Sequence, residues 1–206
     1  MQHELLSRLK KETAACHTRL ERALDLMRDD WQRDEYVALL ECFLGYIAPW
    51  EQAVSAHMPA HLRGFFEPRR KSALIAADLE TLTGRTPRAA AVRMADAATG
   101  LPALDSLGRL FGSMYVMEGS TLGGRFISPH VAHCLGFGHG RGHAYFEGYG
   151  ERTGSMWNAF RETAAATVPA AEYDDAAAAA IATFEGLHAW IETGLAEARA
   201  MSGAAA

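Results

Sequence analysis

Two groups of residues in this 206-residue chain have types and spacing that allow chemistry. The first is His17. It falls four residues after Thr13, three before Leu20 and seven before Leu24. A 3.6-residue period therefore sets it on the apolar face of a helix, beside the core. A neutral imidazole facing inward can ligate iron through one ring nitrogen. By position alone, a lone core histidine is more often structural.

The second group is the stretch YVMEGSTLGGRF, Tyr115 to Phe126, with Gly119, Gly123 and Gly124 inside what reads as a buried helix. Each such glycine costs about 1 kcal/mol relative to alanine, and the four including Gly112 roughly 3–4 kcal/mol together. Gly112, Gly119 and Gly123 are spaced to share one face, with Gly124 adjacent. Tight helix packing explains small residues, although one GxxxG pair usually suffices. Dimerisation in a membrane is excluded by Arg109, Glu118 and Arg125 in the same segment. A phosphate loop is excluded because GSTLGGR lacks the GK[ST] ending. What remains beside packing is a flat trough, where a large planar ligand lies against backbone and the helix bends. An inward histidine on one helix and a glycine trough on another would make a sandwich.

Other candidates are weaker. His130 and His133 with Cys134 suggest metal ligation, and His139 and His143 are near, but structural zinc sites normally show tighter Cys/His spacing. No dedicated metal site is expected there. Tyr145, Phe146 and Tyr149 either cover a ligand edge or fill core; Trp157 and Phe160 read as core. Glu118 reads as a surface acid and as the charge on its helix most apt to be functionally silent. EGSTLGG only partly imitates a nucleophile elbow and has no strand before it.

The elements that must position these residues are helical. Glu4 to Met27 carries Leu6, Leu9, Leu20 and Leu24 at helical spacing. A second amphipathic run, Tyr36 to about Val54, has Pro49 as a kink. RRKSALIAADLETL is a short third helix. Asp105 is expected to cap a long helix from Ser106 towards Ile127, with Pro129 at its end or bend. GFGHGRGHAYFEGYG reads as a loop. Two helices follow, RTGSMWNAFRETAAATV and Tyr173 to Met201. No alternating strand pattern survives, so the fold class is all-α, one domain over 1–206 with the last few residues disordered.

Composition bounds the function. A formal charge of −5 argues against a general nucleic-acid binder. Residues 61 to 93 concentrate Arg63, Arg69, Arg70, Lys71, Arg85, Arg88 and Arg93, which reads as a solvated face rather than a docking site. Cys16, Cys42 and Cys134 form no CxxC pair. With no signal peptide, they point to buried thiols in a reducing cytoplasm. No apolar stretch is long enough to span a membrane.

LKKETAACHTRLE, YVMEGSTLGGRF and YFEGYGERTGSMWNAF, in that order from about Leu5 to about Thr163, resemble the heme oxygenase family, most closely its bacterial branch. The resemblance implies heme held between an N-terminal proximal helix and a glycine-rich distal helix. It implies His17 as the axial iron ligand and Glu21 as the residue that orients it. Gly119, Gly123 and Gly124 match distal glycines whose backbone lies close over the heme. On this reading, heme and bound oxygen occupy the missing side-chain space. Mammalian-type members carry an aspartate where this chain has Ser120, which leaves Ser120, backbone carbonyls and Glu118 as candidates for holding distal water. Heme propionates need cations: Lys10, two turns before His17, matches a propionate contact, with Arg161 and Arg125 as lesser candidates. The implied reaction is oxidative opening of heme to biliverdin, carbon monoxide and ferrous iron with O2 and external electrons. Its partners would be a ferredoxin or flavin reductase, with a bacterial phytochrome as a possible recipient of product. The competing readings are a heme carrier or sensor of the same fold, and a helical bundle without heme.

Overall fold

Leu5, Leu9, Thr13, Cys16 and Leu20 are the buried residues of the first helix, α1 (Glu4–Leu24), a single stripe at three- and four-residue spacing. The computed structural model describes residues 4–87, 92–96, 99–138 and 141–203. Arg88, His139 and the three terminal alanines, where disorder is expected from sequence, lie outside them.

The elements follow as α2 (Arg33–His57), α3 (Arg63–Phe66), α4 (Ser72–Thr83), α5 (Leu107–Ser120), α6 (Gly124–Leu135), α7 (Ala144–Glu147), α8 (Thr153–Thr167) and α9 (Tyr173–Gly203). Short 3-10 turns join several of them, and no strand occurs among the described residues. The all-α expectation holds. Pro49 and Pro129 both lie inside helices, α2 and α6, rather than ending them. The cap of α5 is Ser106, whose hydroxyl accepts the Arg109 N–H at 3.2 Å. Asp105, expected there, instead pairs with the Arg109 guanidinium at 2.8 Å. Ser106 stands directly before the first helical residue, the position from which a side-chain oxygen reaches the N–H three residues on.

The long helix α9 is the spine. Its alanine-rich first half lets neighbours approach closely, with Ala176, Ala177 and Ala180 almost fully buried. A Cβ at Gly112 of α5 would sit 2.0 Å from the Ala176 carbonyl oxygen, and one at Gly108 would sit 2.4 Å from that of Glu172. Those two glycines are packing residues that bring α5 against α9. On the other side Arg8 of α1 pairs with Asp174, and His17 meets Phe184 edge-on with ring centroids 5.8 Å apart. Successive contacts ascend together on both sides, so α1 and α5 both run parallel to α9. The opposite sense holds for α8, where Trp157 faces Tyr115 and Phe160 faces Phe111.

The loop read from glycine content is only partly a loop. It contains α7, started by Asp78 of α4, whose carboxylate accepts the Ala144 and Tyr145 N–H groups at 2.9 and 2.8 Å. A cap supplied 66 residues away in sequence leaves no local signal.

Candidate functional site

The site begins where α1 and α5 touch. A side-chain contact joins Thr13 of α1 to Tyr115 of α5, and both helices rise from there along α9. One turn further on α1 is His17, and one turn further on α5 is Gly119. The i, i+4 relation keeps each on the face its predecessor presents. The same contact therefore sets both at one level of the molecule.

His17 is not packed into the core. Its side chain is 54% exposed, at the border of the buried stripe of α1. Its Nδ1 lies 3.3 Å from the Glu21 carboxylate, which fixes one ring nitrogen and leaves Nε2 free.

The helix facing it changes winding at this level. Its α-helical part ends at Ser120, Thr121–Gly123 form a 3-10 turn, and α6 starts at Gly124. The glycines there divide into two kinds. A Cβ at Gly119 would meet nothing within 4 Å, and one at Gly123 only Ile127 Cδ1 at 3.2 Å. Gly119 borders open space, and at Gly123 only the end of a flexible side chain stands in the way. A Cβ at Gly124 would sit 2.0 Å from the Phe146 carbonyl oxygen. Gly124 therefore packs against α7, and the ligand role expected for it is corrected. Gly112 likewise belongs to the α9 contact. The shared face inferred for Gly112 and Gly119 lies against α9 at the first and has left it two turns later.

The open space is apolar at its edges. Leu122 and Phe126 are 40% and 57% exposed, unusually so for side chains of that size. Glycine backbone, an accessible imidazole and exposed apolar side chains fit a flat aromatic macrocycle whose metal takes one nitrogen ligand. The fit rests on the room beside Gly119 and Gly123.

Lys10 is exposed on α1, three residues before Thr13, and Arg161 is half-buried on α8, next to Phe160. Because Phe160 packs at a tilt against Phe111, one turn before Tyr115, the helix register sets both cations at the same end, below His17 and Gly119. Arg125 instead lies over the Phe126 ring at 4.5 Å. Ser120 is exposed, and its hydroxyl donates to the Met117 carbonyl of its own helix at 2.9 Å.

Glu118 overturns its expectation. It is 2% exposed, buried on the back of α5. One carboxylate oxygen accepts Lys71 Nζ at 3.0 Å and the Tyr149 hydroxyl at 2.6 Å, and the other lies 3.4 Å from Arg69 Nε. Arg69 and Lys71, read as part of a solvated basic face, are 4% and 6% exposed. Burial pushes the Lys71 ammonium below its ordinary pKa, with the Glu118 carboxylate opposing. Burial, then the Glu118 charge, drives the Tyr149 phenol upward. Glu51 of α2, 1% exposed, accepts the Lys71 and Ser72 N–H groups and so caps α4. Nothing local in the sequence marks these residues, since Lys71 and Glu118 lie 47 positions apart.

The histidines of α6 also sort differently from expectation. Asp29, His130 and Cys134 come together with donor atoms within 4.8 Å of one another; His133 is not among them. His130 Nε2 is bound to the Arg28 carbonyl at 2.9 Å and ties the α1–α2 connection to α6. His143 is buried, with Nδ1 2.8 Å from the Ser128 hydroxyl.

The family model for heme oxygenase matches residues 3–193, and the chain belongs to that family. Three solved structures share the fold. Heme oxygenase from Leptospira interrogans aligns with TM-score 0.76 at 16% identity, covering 91% of this chain and 98% of that one. Heme oxygenase-1 of the cyanobacterium Synechocystis, solved in complex with heme, gives 0.75 at 16%, covering 97% and 96%. Heme oxygenase 2 of Chlamydomonas reinhardtii, solved without heme, gives 0.74 at 19%, covering 91% and 96%. No curated protein matches the sequence. Among the described residues no helix is long and apolar enough to cross a membrane.

Proposed function

We propose that this protein is a biliverdin-forming heme oxygenase. It takes heme as substrate in the cleft between α1 and the α5–α6 helix pair and opens it with O2 and external electrons. The products are biliverdin, carbon monoxide and ferrous iron. The observation that carries this reading is the common level of His17 and Gly119, each one turn beyond the Thr13–Tyr115 contact, with open space beside Gly119.

The bound substrate supplies iron-centred oxygen chemistry; the protein supplies geometry. His17 would hold the iron, and the Glu21 carboxylate, 3.3 Å from its Nδ1, would orient the ring. Gly119 and Gly123 would present backbone rather than side chain to the bound heme and so would leave room for a small ligand beside it. Lys10 and Arg161 take the propionates, which orients the ring in the cleft. Ser120 stands on the oxygen side as a neutral hydroxyl and can hold one water. Electrons come from a ferredoxin or flavin reductase, in a cytoplasmic setting, and a bacterial phytochrome is the candidate recipient of biliverdin.

The test is turnover of the hemin-loaded protein in air with a ferredoxin–reductase couple, and with catalase to remove free peroxide. The expected result is decay of the Soret band, rise of a broad red absorbance and a biliverdin isomer on chromatography. A stable oxygenated complex that never yields biliverdin would instead assign a heme carrier or sensor. That second reading draws on one observation: the Ser120 hydroxyl is turned onto the Met117 carbonyl.

A further inference from the structure

The connection between α1 and α2 meets the last turns of α6 at a cluster of nitrogen, sulfur and oxygen donors. His130 and Cys134 stand one turn apart on one face of α6. His130 Nε2 and Cys134 Sγ are 3.6 Å apart. Both approach the Arg28 carbonyl oxygen, which is 2.9 Å from the nitrogen and 4.0 Å from the sulfur. The Asp29 carboxylate lies 3.9 Å from the same nitrogen, and the three side-chain donors fall within 4.8 Å of one another.

Those separations approximate the edges of a coordination tetrahedron. Bonds of about 2.0–2.3 Å to nitrogen, oxygen and sulfur place neighbouring ligands roughly 3.3–3.8 Å apart. The one short pair, His130 Nε2 to the Arg28 oxygen, is a hydrogen bond in the ligand-free protein. It opens by a few tenths of an ångström when a metal takes the place of the shared proton. His130 then binds as its Nδ1–H tautomer and Cys134 as thiolate, and the displaced protons pass to water. A histidine–carbonyl hydrogen bond by itself requires neither the thiol nor the carboxylate beside it.

The turn that presents the carbonyl is fixed before any ion arrives. The Arg28 N–H donates to the Asp25 carbonyl, and Trp31 Nε1–H donates to that of Leu26. The Arg28 guanidinium is taken up by Glu35 and Asp30, at 2.6 and 3.1 Å, and lies over the Trp31 ring. The Asp29 side chain is 97% exposed, so one edge of the cluster faces solvent and gives an ion its way in.

We propose that His130, Cys134, Asp29 and the Arg28 carbonyl form a binding site for a divalent transition ion of the zinc class, which clasps the α1–α2 connection to α6. One thiolate, one imidazole and two oxygens suit zinc and its borderline neighbours, whereas magnesium and calcium take oxygen ligands. The third ligand suggested by the sequence pattern, His133, is not among the donors. The oxygens come instead from a segment about a hundred positions earlier, with Arg28 and His130 102 residues apart. The site uses none of the cleft residues and stands independently of the heme oxygenase reading.

The test titrates the reduced, ligand-free protein with cobalt(II) as the optical probe, then with zinc. One equivalent of cobalt is expected to give a thiolate-to-cobalt charge-transfer band and the intense visible bands of four-coordination, both removed by zinc. Cys134→Ser is expected to lose the charge-transfer band. Asp29→Asn is expected to keep it and to bind at least about tenfold more weakly, the cost of losing even an outer partner of a metal site. His133→Ala is expected to bind as the unaltered protein does. Zinc is expected to raise Tm, since it binds the folded arrangement, and to do so equally with hemin bound.

Absence of the band at one equivalent overturns the proposal. So does the same band in Cys134→Ser, which would place the ion on Cys16 or Cys42. A zinc effect on Tm that vanishes with hemin bound also overturns it, by assigning the ion to His17 and Glu21. Should Cys134→Ser fail to fold, Asp29→Asn carries the test, because its side chain is exposed, and an undiminished affinity there removes the site.

Discussion

At the scale of single residues, the glycines make opposed predictions that separate ligand space from packing. Gly119 lies in α5 with nothing near its missing Cβ. Gly119→Ala is therefore expected to stabilise the ligand-free protein by about 0.5–1 kcal/mol through helix propensity, raising Tm by a few degrees. Gly119→Leu is expected to fold equally well and to lose most of its affinity for hemin, read by Soret titration. Gly112→Ala is expected to do the reverse. Its Cβ would drive into the Ala176 backbone, an overpacking that costs roughly 1–3 kcal/mol or more. A thermal melt ranks the pair, and a lower Tm for Gly119→Ala would contradict the open-space assignment. His17→Ala is expected to abolish the imidazole-ligated Soret signature, with added imidazole restoring it. Failure of imidazole to restore the band would remove His17 as ligand.

At the scale of elements, the site is a consequence of how three helices meet. Parallel α1 and α5 share α9, and the alanines of α9 let Gly108 and Gly112 come against its backbone. On the far side of α5, Gly124 lies against the Phe146 carbonyl, so α7 holds the start of α6 next to Gly123. Asp78 makes that hold possible by capping α7. Asp78→Ala removes two hydrogen bonds to a buried helix start and is expected to cost about 1–3 kcal/mol. Hydrogen exchange at Ala144 and Tyr145 should rise first, and hemin affinity should weaken because α6 loses its support. Intact exchange protection at those amides would show that α7 is held by its aromatic contacts instead. Little of this is legible in the chain, because each of these contacts joins residues far apart in sequence.

At the scale of the whole molecule, the balance of buried ionisable groups sets the alkaline limit. Burial raises the phenols of Tyr36, Tyr46, Tyr145 and Tyr149, and holds the Cys42 thiol up at about 11. In each, the neutral form is favoured in the folded state. Above the unfolded values, about 8.5 for cysteine and 10 for tyrosine, the unfolded chain binds fewer protons, and stability falls as pH rises. Lys71 has the opposite sign: its lowered pKa makes stability rise with pH up to about 10.4. With the Tyr115 phenol also raised by burial, six groups against one predict cooperative unfolding above roughly pH 10. Tyrosinate absorbance should appear together with loss of helical circular dichroism rather than before it. Smooth tyrosine ionisation with helicity intact would show that these phenols reach solvent.

What the sequence determined by itself was what short-range rules encode. Apolar residues at helical spacing placed α1 and α2, because burying one face dictates that period. LKKETAACHTRLE, YVMEGSTLGGRF and YFEGYGERTGSMWNAF, in that order, carried the family resemblance. Tertiary structure alone decided which glycines serve space and which serve packing. Gly112, Gly119, Gly123 and Gly124 are the same residue type in one stretch, and only the neighbour at 2.0 Å or its absence tells them apart. It also decided that Arg69, Lys71 and Glu118 are buried. A charge run read in one dimension looks solvated, and a charge can leave water only when a partner from another helix arrives. Here that partner is set by the packing of α4 against α5, which no local rule specifies.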